Sequence, residues 1–356
     1  MRLPDPAFWR GRRVLVTGHT GFKGPWLCAA LRRLSAHVGA IALAPASTPN
    51  LWEDSGLAAE IDARTVDLRD RAACAAAVAA AAPEIVLHLA AQSLVRRGYR
   101  EPVETYATNV MGTVHLLDAV RATPSITDVV VVTSDKVYAD LPVAGGYAED
   151  ARLGGADPYA GSKACVELVV ETFRQAYFGA GPRLSSARAG NVIGGGDFSA
   201  DRLVPDFVRA IAAGETLVLR SPDATRPWQH ALDPIAGYLL VAESAAADPA
   251  FAGPWNFGPT EQGVRVREVV EILARAWGRP ASAHDAGAYR VEAATVHEAA
   301  TLDVDASKSR TRLGWAPRWT IAEALERTAG WYRDFLGGSP ARALIDRDLD
   351  AYGFSG

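Results

Sequence analysis

At 356 residues the chain is long enough for one large domain or two modest ones with a substantial core. Hydrophobic residues make up 49% and charged residues 22%, an ordinary globular composition. The net charge of −4 offers no basic surface for nucleic acid. The longest apolar run, the alanine-rich stretch 72–82, is too short and too weakly hydrophobic to cross a membrane. Residues 1–13 hold no long apolar segment of the secretory type. Cys28, Cys74 and Cys165 are odd in number and widely spaced, which suits reduced thiols of a cytoplasmic protein better than a disulfide framework. The seven histidines lack ligand spacing, so no metal site is expected.

Arg13–Thr17 reads as a buried strand, and Gly18-His19-Thr20-Gly21-Phe22-Lys23-Gly24 follows it at once. A helix from Pro25 to Leu34 comes next; proline is acceptable in a first helical turn. Glycines between a strand and a helix let backbone N–H groups approach a pyrophosphate at the positive end of the helix. The alternative is a plain strand-to-helix turn. His37–Leu43 reads as the second strand. It continues into Ala44-Pro45-Ala46-Ser47, with neither the acid that selects NAD nor an arginine for NADP, so this position leaves that choice open.

Thr65–Asp70 reads as a short strand ending in acid, where Asp67 faces an adenine edge or caps the next helix. Glu84–Ala91 is a fourth strand whose small residues let a ligand lie close. Glu104–Val120 is helical, and Asn109 in it serves the ligand site or is an ordinary polar position. Val129–Val132 is an apolar strand ending in Thr133-Ser134-Asp135-Lys136. Asp157-Pro158-Tyr159 opens a helix on which Tyr159 and Lys163, four apart, share a face. A lysine ammonium beside a phenol lowers its pKa and makes it a general base toward an alcohol; the bland alternative is a chance spacing. Strand, turn and helix in alternation predict an α/β fold with a doubly wound parallel sheet, its ligands at the carboxyl ends of the strands.

The second half is looser. Arg183–Ala189 is a further strand, and Gly194-Gly195-Gly196-Asp197 is a loop at a domain crossing. Helices are expected over Asp201–Ala213, Val264–Trp277 and Ile321–Phe335, with strands at Thr216–Arg220 and Gly253–Gly258. Thr225-Arg226-Pro227-Trp228-Gln229-His230 gathers a guanidinium, an indole and an imidazole; Arg226 suits a phosphate.

Thr17-Gly18-x-x-Gly21-x-x-Gly24, His88-Leu89-Ala90-Ala91, Asn109, Ser134 and Tyr159-x-x-x-Lys163 resemble the extended short-chain dehydrogenase/reductase family, in its nucleotide-sugar branch. Gly18–Gly24, Tyr99–Pro102, Thr133–Lys136, Ala189–Asp197 and Thr225–His230 are similar to the 4,6-dehydratases of that branch. The resemblance implies a Rossmann NAD-binding domain over 1–190, joined by about 231–250. A smaller, discontinuous α/β domain within 191–356 would bind the nucleotide sugar. It implies NAD held by Gly18, Thr20, Gly21, Phe22, Lys23, Gly24, Asp67, Leu68, Leu89, Ala90, Ala91, Asn109, Thr133, Tyr159 and Lys163. It implies catalysis by Ser134, Asp135, Lys136, Tyr159 and Lys163, and CDP-glucose as substrate, with UDP-, GDP- or dTDP-hexoses as alternatives. Asp135 would be the acid toward O6, with its pKa raised by burial, and Lys136 stands where the base belongs. Asn191, Arg202, Arg226 and His230 would bind the substrate, with Arg318 a further cationic candidate. The products implied are deoxysugars of a bacterial surface polysaccharide. On helix 158–178 the stripe Val166, Val169, Val170, Phe173 and Tyr177 suggests a homodimer or higher homo-oligomer through a four-helix bundle with helix 104–120.

Overall fold

The computed structural model describes residues 1–356 except 142, 144, 180, 262, 280–288, 293–300 and 356. Its first six strands are β1 (Arg13–Thr17), β2 (His37–Ala42), β3 (Asp62–Thr65), β4 (Ile85–His88), β5 (Asp128–Val132) and β6 (Arg183–Ala189). After them come β7 (Val192–Ile193), β8 (Leu217–Leu219), β9 (Gln229–His230), β10 (Pro254–Phe257) and β11 (Tyr289–Val291). Seven of these form one parallel sheet in the order β10-β6-β5-β4-β1-β2-β3. The chain winds outward from β1 to β3, then returns to the other side of β1 with β4. That reversal opens a crevice at the carboxyl ends of β1 and β4.

Helices cover both faces, so the central strands are buried on both sides and read as apolar runs. All five residues of β5 are buried. They alternate: Val129 and Val131 pack with Leu116, Leu117, Val166 and Val170 on one face. Val130 and Val132 pack with Leu27, Leu31, Leu239 and Leu240 on the other. Helix Leu232–Ala247 is apolar nearly all round and buried over most of its length, as a helix between two layers must be.

The structure differs from the expected elements where tertiary context decides. The third strand stops at Thr65, and Asp67 lies beyond it with its carboxylate on Arg69. Asp70, not Asp67, caps the next helix by accepting from Ala72 and Ala73 N–H. The helix expected over 104–120 is present and runs from Pro102 to Arg121, with a wider, π-helical turn at Ala107–Met111 inside it. Helix Leu232–Ala247 packs on β5 and β6. The strand Pro254–Phe257 pairs with β6 and closes that edge of the sheet. Helix Ala341–Tyr352 also packs back, on helix Lys23–Arg33. More of the second half therefore leans on the sheet than residues 231–250.

Asp233, in the first turn of helix Leu232–Ala247, anchors this return. It accepts from Arg318 N–H and from the Tyr352 hydroxyl, both at 2.8 Å. Burial raises its pKa from 3.8 to about 7. The folded state then binds the proton more tightly than the unfolded state, so this group's contribution falls as pH rises from about 4 through 7. Urea unfolding of the wild type should show that decline, and Asp233→Asn should flatten it; identical slopes would refute the assignment.

Candidate functional site

The glycine turn sits where β1 passes into helix Lys23–Arg33. Gly18 has φ +78, and a Cβ there would lie 2.6 Å from the Ala90 nitrogen. A Cβ on Gly24 would lie 2.4 Å from the His19 carbonyl oxygen. These two glycines serve the packing of the turn against β4 and against itself. Gly21 is different: a Cβ there would meet only the Gly18 carbonyl oxygen, at 3.5 Å. Its open face looks into the cleft, and no side chain caps the helix that follows. Free N–H groups at a helix start beside an uncrowded glycine fit the pyrophosphate of a dinucleotide.

The cleft holds about 630 Å³ along the carboxyl edge of the sheet. It brings together Gly18, Thr20, Gly21, Phe22, Lys23, Gly24, Asp67, Leu68, Leu89, Ala90, Ala91 and Thr133 with Ser134, Asp135, Lys136, Tyr159 and Lys163. Asn191, Arg202 and Arg226 reach it from the second half of the chain. Two expected residues stand off its wall. Asn109 is buried behind it, accepting from Gln92 N–H at 2.8 Å and donating to Gln92 C=O at 3.0 Å and Ser162 Oγ at 2.8 Å. It positions the wall and the helix of Tyr159 without touching the cleft. His230 is fully buried between Trp26 and Trp319, and burial lowers its pKa to about 3. It is a core residue, not a substrate ligand. Arg318 also lies off the wall, with its guanidinium over the Tyr352 ring.

Ser134 ends β5 and caps a short 3-10 turn at Asp135–Val137, accepting from Lys136 N–H at 3.1 Å. Its hydroxyl donates to Asp135 Oδ1 at 2.9 Å. Asp135 is buried, and burial raises its pKa against the opposing pull of Lys136, Ser134 and Arg226. Lys136 is half-buried on the wall. Lys163 donates to the Val132 carbonyl at 3.0 Å, and burial lowers its pKa to about 8.

The Tyr159 phenol corrects the expectation drawn from spacing. Burial raises it to about 12, with the Ser134 hydroxyl pulling the other way. Proximity along a helix face does not by itself lower the phenol: burial is the larger effect here, and the Lys163 ammonium donates to a backbone carbonyl. Lys23, from the glycine turn, donates to the Tyr238 hydroxyl at 3.1 Å and is lowered to about 7 by burial and by Lys163.

Sequence reasoning missed the wall formed by Gln92, Ser93, Arg96 and Arg220. Arg202 donates to Ser93 Oγ at 2.9 Å and to Asp197 at 3.2 Å, and Arg96 pairs with Asp201 at 3.4 Å. These bonds join the two sides of the cleft over about a hundred residues of sequence, beyond any local pattern. Position alone was the available signal: residues 92–97 follow directly on Ala90-Ala91.

Fold and cleft place the chain among the extended short-chain dehydrogenase/reductases. It matches the family described as GDP-mannose 4,6 dehydratase over residues 15–328. It is 42% identical to a CDP-glucose 4,6-dehydratase of Salmonella typhimurium, covering 98% of each chain. A dTDP-glucose 4,6-dehydratase double mutant from Streptomyces venezuelae, solved with NAD bound, is 27% identical with TM-score 0.78, covering 91% of this chain and 98% of that one. A UDP-glucose 4-epimerase of Thermotoga maritima shares the fold at TM-score 0.80 and 20% identity, over 91% of this chain and 99% of that one. The chain belongs to the GDP-mannose 4,6-dehydratase family.

Gly21→Ala should leave the melting temperature in place while weakening dinucleotide binding measured by titration. Gly18→Ala should lower both, with a stability loss of about 1–3 kcal/mol from crowding against Ala90. Unchanged binding in Gly21→Ala would place the pyrophosphate elsewhere.

Proposed function

We propose that the chain converts CDP-glucose to CDP-4-keto-6-deoxyglucose with NAD as its cofactor, the sheet domain taking the dinucleotide and the second half the nucleotide sugar. The observation that carries this is Asp135: a buried carboxyl with a raised pKa, directly after Ser134 and beside Lys136 on the cleft wall. A simple oxidation at C4 needs no such acid. The 42% identity to a CDP-glucose 4,6-dehydratase supports the choice of substrate.

NAD, which the Gly18–Gly24 turn and Leu89-Ala90-Ala91 would hold, would supply a hydride acceptor for C4, a hydride donor for C6 and a positive charge in the cleft. The Tyr159 oxygen takes the proton of the sugar 4-OH, with Ser134 bonded to the same oxygen. Lys163 keeps a cation nearby, and lowering the phenol from about 12 needs positive charge in the cleft. The 4-ketone so formed acidifies C5–H. Lys136, on the cleft wall, takes that proton on its amine nitrogen; the C–H electrons form the C5–C6 double bond as C6–O6 breaks. Asp135, whose pKa burial raises, gives its proton to the departing oxygen, which leaves as water. Lys136 then returns a proton to C5. The proton gained by Tyr159 and the one lost by Asp135 balance. Arg226, Arg202 and Asn191 on the far wall suit the diphosphate and sugar.

The cysteines Cys28, Cys74 and Cys165 are all free, which supports a reducing, cytoplasmic setting, and no helix among the described residues is long and apolar enough to cross a membrane. The apolar stripe on helix Pro158–Ala176 is largely spent on the chain's own core, where Val166 and Val170 are buried and Val169 and Phe173 pack against them. The face left outside carries Leu168, 58% exposed, and the neighbouring helical segment carries Val103, 83% exposed, with Tyr106 and Met111. Large apolar side chains gathered on adjacent helices support a homodimer through this face.

A panel of CDP-, UDP-, GDP- and dTDP-glucose, read by the alkali-dependent near-ultraviolet absorbance of a 4-keto-6-deoxy product, should give product from CDP-glucose. Asp135→Asn should slow it by about 10²–10⁴-fold. Product from another nucleotide alone would discard the substrate, and none from any would discard the reaction. Sedimentation at micromolar concentration should show a two-chain species that Val103→Glu with Leu168→Glu converts to one chain; a monomeric wild type would refute the interface.

A further inference from the structure

We propose that Glu167, locked by Arg188, is a positioning residue that fixes the catalytic end of β5 against the helix carrying Tyr159 and Lys163. The inference rests on the oxidising role given above to Ser134, Tyr159 and Lys163.

Lys163 and Glu167 lie one turn apart on helix Pro158–Ala176. They grip consecutive residues of the strand. Lys163 Nζ donates to the Val132 carbonyl at 3.0 Å, and Thr133 Oγ1 donates to Glu167 Oε1. Thr133 is the residue before Ser134. The second carboxylate oxygen of Glu167 accepts from Ser186 Oγ at 2.7 Å and from Arg188 Nη2 at 2.8 Å, both on β6. Arg188 is held in turn: its Nη1 donates to the Tyr138 hydroxyl at 2.9 Å and to the Glu149 carbonyl at 2.8 Å. The Tyr138 hydroxyl donates to Asn256 Oδ1 on β10, at 2.6 Å. Glu167 and Arg188 are 4% and 3% exposed, so no water replaces either partner.

A buried ion pair that ties one helix to two strands has a geometric use. The Ser134 hydroxyl must reach the oxygen of Tyr159, and the two residues come from different elements. Without Glu167 the Lys163–Val132 bond, the Asn109–Ser162 bond and the packing of the helix would be left to set that distance. A misplacement of about 1 Å in such a group can cost on the order of a hundredfold in rate.

Glu167 acts on Lys163 through charge as well. The groups around Lys163 are Lys23 from the glycine turn, His88 from β4, and Tyr159 and Glu167 on its own helix. Lys23 repels its charge, burial keeps His88 neutral near neutral pH, and Glu167 opposes the loss of its proton. Removing the carboxylate charge lowers the pKa of Lys163, so its ammonium is lost at lower pH.

The test uses the full chain with its cofactor. In Glu167→Gln, kcat should fall by about tenfold to a hundredfold with KM for CDP-glucose unchanged. The alkaline limb of the kcat profile should move to lower pH. Lysine NMR titration, with the Lys163 signal assigned by its loss in Lys163→Met, should show the same downward shift. Thr133→Val keeps the ion pair and removes only the grip on the strand; it should lower kcat while the Lys163 titration stays put, and Thr133→Ser should restore the rate. If Glu167→Gln does not fold, the Thr133 pair decides. A folded Glu167→Gln, or a Thr133→Val, with wild-type kcat would overturn the proposal, as would a Lys163 titration unmoved in Glu167→Gln. A wild type inactive on every nucleotide sugar, with the Lys163 shift still present, would instead refute the catalytic reading and leave the clamp standing.

Discussion

A parallel strand can follow another in the same sheet only if the chain crosses back over a face between them. Seven parallel strands therefore collect all their carboxyl ends on one edge. The glycine turn after β1, Leu89-Ala90-Ala91 after β4, Thr133–Lys136 after β5 and Asn191 after β6 meet there although they span most of the first two hundred residues. The winding reversal between β1 and β4 leaves no helix across that point, so the edge stays open as a cleft. Everything chemical in the molecule follows from that placement.

The cleft is a crowded charge system, and burial sets its terms. Burial opposes charge on four groups in it: it pushes Tyr159 and Asp135 up and Lys23 and Lys163 down. What distinguishes one group from another is its neighbour. Burial raises the pKa of Asp135 although Lys136 and Arg226 oppose this, the direction that suits an acid. Lys163 retains its charge with help from Glu167. A phenol one helical turn from a lysine still has its pKa raised, because burial outweighs the groups that lower it.

Beneath the cleft lies a polar layer that the reaction does not touch. Asn109 bonds the Gln92 backbone to Ser162, and Glu167 bonds Thr133 to Arg188. Both tie the helix of Tyr159 to the strand ends beside it. Buried polar groups of this kind are costly unless fully bonded, and here the bonding doubles as alignment. The second half of the chain contributes by leaning back on the sheet, through helix Leu232–Ala247, β10 and the anchor at Asp233.

The alternation of strand and helix was legible because strand and helix periods, glycine turns and caps are local. The Gly18–Gly24 turn, the apolar run of β5 and the spacing of Tyr159 and Lys163 each needed only neighbouring residues. The π-turn at Ala107–Met111 and the early end of β3 escaped local pattern, as did the pairing of β10 with β6. Each is set by packing against distant chain. The same division runs through the site. Tyr159, Lys163 and Ser134 could be chosen from type and spacing, whereas Asn109 behind the wall, His230 in the core and Arg202 reaching Ser93 could not. Residue type and spacing fix what chemistry a side chain can do. Whether it meets solvent, substrate or core, and which charge it faces, depends on contacts between residues a hundred or more apart, and those exist only once the chain is folded.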